Sequence, residues 1–274
     1  MHSWTSAYFT AKNGTKLHYY RTGGNKIPLI LIHGITDDGL CWTPVAEALA
    51  PDCDVIMLDL PGHGKSDAPD DGYDFKTIAD KIADLIEGLG LENPIVMGHS
   101  LGAMTTLSVA AYHPDLPSAI VLEDPPPFWN TKNSSADDLE FRAGMQAWFY
   151  DLKRKTHADL LNAVRAENPN WQEAEFIPWV DSKHRFSLKI VKMIDPQETV
   201  PSDFRAKLGG ISCPTLLLTA NQARGSILTP EDVSDLVRLI PQTQAVHIPT
   251  AGHNIRRDQF PIYMDVVNAF LKEV

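Results

Sequence analysis

Cysteine is scarce: Cys41, Cys53 and Cys213 are three, an odd number with no C-x-x-C spacing. That excludes a disulfide framework, a redox dithiol and a zinc knuckle, and leaves reduced structural thiols. Long apolar runs are also missing; none approaches the roughly 20 residues of a membrane-spanning helix. Met1 to Thr10 lacks the basic run and apolar stretch of an export signal, so the expected location is cytoplasmic, with no membrane partner. Basic residues are few beside acidic ones, 24 Lys+Arg against 35 Asp+Glu, a formal charge of -11. Such a surface repels phosphate backbones, which excludes nucleic acid as a partner. No H-E-x-x-H and no G-x-G-x-x-G occurs, so neither a metal nor a dinucleotide cofactor is expected.

What is present is an ordinary globular composition, 43% hydrophobic and 22% charged, in 274 residues. That length suits one large domain or a core with an insertion. Asn13-Gly14, between Tyr8 to Lys12 and Lys16 to Arg21, predicts an antiparallel hairpin with a two-residue turn. Short apolar runs follow at Leu29 to Ile32, Val55 to Leu58, Ile95 to Met97, Ala119 to Leu122, Thr215 to Leu218 and Ala245 to Ile248. They are spaced by helix-length segments, as strands buried on both faces would be. Between Asp74 and Gly90 the residues Ile78, Ile82, Leu85, Ile86 and Leu89 form one helical stripe. The alternation predicts an α/β fold with a mainly parallel, doubly wound sheet.

Pro125-Pro126-Pro127 breaks the rhythm, because three prolines forbid a helix or a central strand. From Phe128 to Val200 the pattern is irregular and helical, and strand rhythm resumes near Ile211. The division expected is a core of residues 1–127 and 201–274 with a helical lid inserted at 128–200.

Gly98-His99-Ser100-Leu101-Gly102 follows the Ile95 to Met97 run and precedes a helical stretch, Ala103 to Tyr112. A serine on a tight strand-to-helix turn needs small neighbours if its Oγ is to project into a site. Four blocks together resemble the α/β-hydrolase superfamily across essentially the whole chain. They are Leu31-Ile32-His33-Gly34, the segment Asp59 to Ser66, Gly98 to Gly102, and Ala251-Gly252-His253. The resemblance implies an α/β-hydrolase fold under a lid. It implies Ser100 as nucleophile and His253, on the loop after the last strand, as base. The oxyanion donors it implies are the backbone N–H groups of Ile35 and Leu101. His33 and His63 fall where the family uses histidines structurally. His2, His18, His113, His157, His184 and His247 have no catalytic context.

The triad acid departs from the commoner family pattern. After the Thr215 to Leu218 strand the chain reads Thr219 to Gly225 with no carboxylate. Some relatives carry the acid one strand earlier, where this chain has Glu123 and Asp124. Strand alternation sends the two to opposite sides, and the resemblance to those relatives in the spacing from Ser100 implies Asp124, with Glu123 as the alternative.

The segment from Phe128 to Val200 carries 10 of the chain's 23 aromatic rings and is nearly neutral, so the acidity belongs to the core. Trp129, Trp148 and Trp179 are the candidate substrate-facing rings, favouring an apolar or amphipathic substrate. The reaction expected is hydrolysis of a small-molecule carboxylic ester or lactone, acyl-homoserine lactones included, by a monomer or small homo-oligomer. Cofactor-free haloperoxidase, perhydrolase or C–C bond hydrolase chemistry would use the same triad, and a non-catalytic ligand receptor could use the same scaffold.

Overall fold

The computed structural model describes residues 4–130 and 136–274. The first three residues, and the part of the expected lid at 131–135, lie outside the described residues. One sheet of eight strands runs through the molecule: β1 (Thr5–Thr10), β2 (Lys16–Arg21), β3 (Ile27–Ile32), β4 (Cys53–Leu58), β5 (Ile95–His99), β6 (Ala119–Glu123), β7 (Thr215–Ala220) and β8 (Thr243–Ile248). Their order is β1-β2-β4-β3-β5-β6-β7-β8. β2 pairs antiparallel with β1 and β4, and all other neighbours are parallel.

The hairpin joining β1 and β2 is wider than a two-residue turn. Thr10 and Lys16 are the last partners, and Asn13 Oδ1 accepts a 3.1 Å bond from Thr15 N–H, so the side chain closes a larger loop. Gly14 supplies the left-handed residue there, at φ 87°.

The apolar runs lie in β3 to β8, and their alternation feeds two cores. Ile30, Ile32, Ile56, Leu58, Val96, Ile120 and Leu122 face α2 (Phe75–Gly88) and α3 (Leu101–Tyr112). Leu29, Leu31, Val55, Met57, Met97 and Val121 face α1 (Thr43–Leu49) and α11 (Phe260–Leu271). Each such side chain contributes about 1.5–3 kcal/mol on burial. β8 departs from the expected double burial: as the sheet's edge it stays largely open to solvent. α2 starts where Asp74 caps it, accepting from Thr77 N–H at 2.8 Å, and its predicted stripe is inward.

Between β6 and β7 come α4 (Ala136–Arg154), α5 (His157–Glu167), α6 (Glu173–Arg185), α7 (Pro196–Thr199) and α8 (Phe204–Leu208). Phe149, Leu152, Leu160, Val164, Val180 and Phe186 merge with the core on the α2 and α3 side. α9 (Pro230–Leu239) links β7 to β8, and α10 (Ile255–Asp258) follows β8.

Candidate functional site

Ser100 occupies the junction of β5 and α3 with φ 53° and ψ -119°, a backbone state costing an L-residue about 1–3 kcal/mol. Its flanking glycines are demanded by backbone proximity. A Cβ on Gly98 would lie 2.1 Å from the Gly102 carbonyl oxygen, and one on Gly102 would lie 2.1 Å from that of Ile32. The turn is tied down by Ser100 N–H donating to the Glu123 carbonyl at 2.8 Å. Leu101 opens α3, so its N–H has no partner within the helix. Ile35 lies on the facing loop after β3, where a Cβ on Gly34 would come within 3.3 Å of the Ser100 Cβ.

The two adjacent carboxylates part company at the end of β6. Asp124, at φ 42°, turns out of the strand, and its Oδ2 lies 2.7 Å from His253 Nδ1. Ser226 Oγ donates to Asp124 at 2.8 Å and Ile227 N–H at 3.0 Å. These bonds fix the His253 tautomer, with Nδ1–H toward the carboxylate and the lone pair on Nε2. Glu123 follows the side of Ala119 and Val121, and Arg256 N–H and guanidinium reach it at 2.9 and 3.2 Å. Burial raises the Glu123 carboxyl from its ordinary value, against the opposing pull of Arg256.

Three buried histidines hold the surrounding loops as neutral rings. His33 Nε2 accepts from Leu60 N–H at 3.0 Å while Nδ1–H donates to the Gly34 carbonyl at 2.8 Å. His63 Nε2 accepts from Thr36 N–H at 3.3 Å and Nδ1–H donates to the Pro61 carbonyl at 3.0 Å. His99 Nε2–H donates to the His253 carbonyl at 3.0 Å. Burial lowers all three: His63 to about 3, with His33 adding to the effect, and His99 well below its usual value, with Arg256 adding to it.

Ser100, His253 and Ile35 line one cavity of about 480 Å³. Trp148, Leu152, Leu160, Val164, Trp171 and Trp179, from the segment between β6 and β7, form its apolar wall. Trp148 and Trp179, two of the three candidate rings, are among them. Trp129 is not: it is fully buried and borders a separate cavity of about 450 Å³ with Phe141 and Phe204. It stands two residues after the proline run, close to the end of β6, and does not reach the cavity that Ser100 lines.

A family model described as the alpha/beta hydrolase fold matches residues 27–256. The chain belongs to the α/β-hydrolase fold family. Among its α/β-hydrolase relatives is the N-formylmaleamate deformylase of Pseudomonas putida, 29% identical, with 94% of each chain covered. Another is the 2-(acetamidomethylene)succinate hydrolase of Mesorhizobium japonicum, 27% identical over 92% of this chain and 90% of that one. A solved deformylase for N-formylmaleamic acid from Pseudomonas putida superposes with a TM-score of 0.79 at 25% identity, covering 96% of this chain and 100% of that one. The chain is thus a member of a hydrolase family, similar over more than nine-tenths of its length to relatives named as a deformylase and a hydrolase.

On this α/β-hydrolase frame the cavity has a second, charged wall that sequence reasoning missed. Asp37, Lys183 and Arg257 line it. Lys183 Nζ lies 2.6 Å from Asp37 and the Arg257 guanidinium 3.0 Å, while Arg257 also meets Glu175 at 3.0 Å. Burial alone would raise the Asp37 carboxyl, but Arg257, Lys183 and Arg256 outweigh it and hold it well below the usual range. Arg185 adds a bond to Asp38 at 2.6 Å, so α6 is fastened to the loop after β3 by two ion pairs. Lys155 belongs to a basic run that reads as a solvated helix face, yet it too borders the cavity, paired with Asp151 at 2.7 Å. The only sequence signal for this wall is that Asp37-Asp38 and Arg256-Arg257 lie a few residues from Ile35 and His253.

Among the described residues no His, Cys, Asp and Glu cluster is arranged to hold a metal, and no helix is long and apolar enough to cross a membrane.

Proposed function

We propose that the chain is a serine hydrolase that cleaves a small amphipathic acyl compound, an ester, lactone or amide, through an acyl-enzyme on Ser100. The observation that carries this reading is the His253 Nδ1 to Asp124 contact of 2.7 Å beside the cavity that Ser100 lines. Ser100 Oγ attacks the carbonyl carbon and His253 Nε2 takes its proton. Asp124 keeps the ring oriented and stabilises the imidazolium. The N–H groups of Leu101 and Ile35 receive the developing oxyanion. His253 then protonates the leaving oxygen or nitrogen, and a water activated by the same Nε2 releases the acid.

The size of the cavity and its two kinds of wall support a small substrate with an apolar part and a polar part. The ester and lactone reading extends to amides because the relatives matched along the whole chain are named as a deformylase of N-formylmaleamate and a hydrolase of 2-(acetamidomethylene)succinate. The test is a panel of acyl esters, lactones and N-acyl compounds, with and without a carboxylate, assayed with the native protein and Ser100→Ala. The expected result is turnover of at least one class that Ser100→Ala loses. Turnover that survives the substitution unchanged defeats the proposal.

A further inference from the structure

A second Ser-His-Asp relay stands far along the sheet from Ser100, at the β1 edge. Ser6 Oγ lies 2.8 Å from His18 Nε2, and His18 Nδ1 lies 2.8 Å from Asp59 Oδ2. Burial alone would raise the Asp59 carboxyl, but His18 and the N–H groups of Lys65 and Gly39 outweigh it and lower it. An ionised Asp59 requires Nδ1–H on His18, which leaves the Nε2 lone pair to accept the Ser6 hydroxyl proton. His18 is completely buried and Asp59 nearly so, whereas Ser6 is exposed on the edge strand. Tyr8 and Tyr20 flank the His18 ring edge-on, with centroids 5.0 and 4.6 Å away, and fix its orientation. His18 ties β2 to the loop after β4, but that structural task needs only its bond to Asp59. The exposed hydroxyl on Nε2 is an addition.

The geometry points to Ser6 as a second nucleophilic serine, a surface site of covalent modification by acyl and phosphonyl electrophiles that operates independently of Ser100. With a fluorophosphonate, the Ser6 Oγ–P bond forms and the P–F bond breaks. Fluoride leaves with the bonding pair, and the hydroxyl proton passes to His18 Nε2, giving an imidazolium paired with Asp59. Asp59 stays ionised throughout. A positioned base of this kind accelerates proton transfer by about 100-fold or more.

The experiment treats the full-length Ser100→Ala protein with a fluorophosphonate probe and maps the adducts by peptide mass spectrometry over time. Ser202, exposed and with no histidine hydrogen bond among the described residues, serves as internal reference. The expected result is an adduct on Ser6 forming at least about tenfold faster than on Ser202, and absent from Ser6→Ala/Ser100→Ala. No Ser6 adduct, or one forming less than about tenfold faster than at Ser202, overturns the inference. If Ser100→Ala misfolds by circular dichroism, the same ratio is read on the native protein after Ser100 is saturated. Because Ser100 is absent or already occupied, the outcome is independent of the proposed hydrolase reaction.

Discussion

Asp124 and Glu123 are neighbours in sequence with opposite partners: Asp124 Oδ2 meets His253 Nδ1 at 2.7 Å, whereas Glu123 is closed against Arg256. Removing each charge therefore has a different signature. Asp124→Asn is expected to lower kcat by about 10⁴-fold, since the amide cannot hold the same histidine tautomer. Glu123→Gln is expected to retain most activity per folded molecule while costing about 3 kcal/mol of stability, because Arg256 stays buried with only the more distant Asp37, 3.6 Å away, as counter-charge. Steady-state kinetics and urea denaturation of the two variants separate these outcomes.

That choice also marks the limit of what the sequence discloses. Strand alternation, a local period of two, leads one to expect Glu123 and Asp124 to part, although in the structure it is the left-handed Asp124, at φ 42°, that turns out of the strand. Which carboxylate meets which partner depends on Arg256 and His253, more than a hundred residues away, and no local pattern encodes that. The buried strands β3 to β7 are legible for the same local reason, while β8 misleads because its apolar residues lie at a sheet edge. Asp37, Lys183 and Arg257 escape notice because charged residues are almost always solvated, and only the fold reveals that, together with Glu175, they pair with one another. Trp129 shows the converse limit, since an aromatic ring in the sequence signals burial but not which cavity it borders.

The glycines beside Ser100 admit no side chain. Gly98→Ala sets a methyl 2.1 Å from the Gly102 carbonyl, which can be relieved only by moving the turn. Expected are a stability loss of about 1–3 kcal/mol or more and near-complete loss of turnover, read by thermal melting and kinetics. Gly144→Ala is the control, because nothing lies within 4 Å of its added Cβ.

Acid should destabilise the fold. His33, His63 and His99 are depressed in the folded state, so below about pH 6.5 the unfolded chain binds protons that the native chain refuses. Stability carried by a depressed histidine is complete above its unfolded value and declines as pH falls toward the folded one. Asp38, raised to about 6 by burial and by Asp59, and Glu123, raised by burial, act in the opposite sense. With three depressed histidines opposing two raised carboxylates, stability is expected to fall on going from about pH 6.5 to about pH 5. Urea midpoints across that interval check the sign; equal or greater stability at pH 5 would refute it.

Trp179 and Trp129 give a paired test of the cavity assignment. Trp179→Ala opens the wall facing Ser100 and is expected to raise KM about tenfold, the equivalent of about 1.4 kcal/mol of lost contact. Trp129→Phe alters a ring that borders the second cavity and not the one Ser100 lines, so KM should stay within about twofold of native while the melting temperature drops.

The most direct test of the central claim is rapid-quench mass spectrometry of the native protein during its first turnover of an activated ester, with peptide mapping of the acyl group. An acyl adduct on Ser100, formed and discharged at rates that account for kcat, is the expected result. Steady turnover with no acyl group ever present on Ser100 would contradict it.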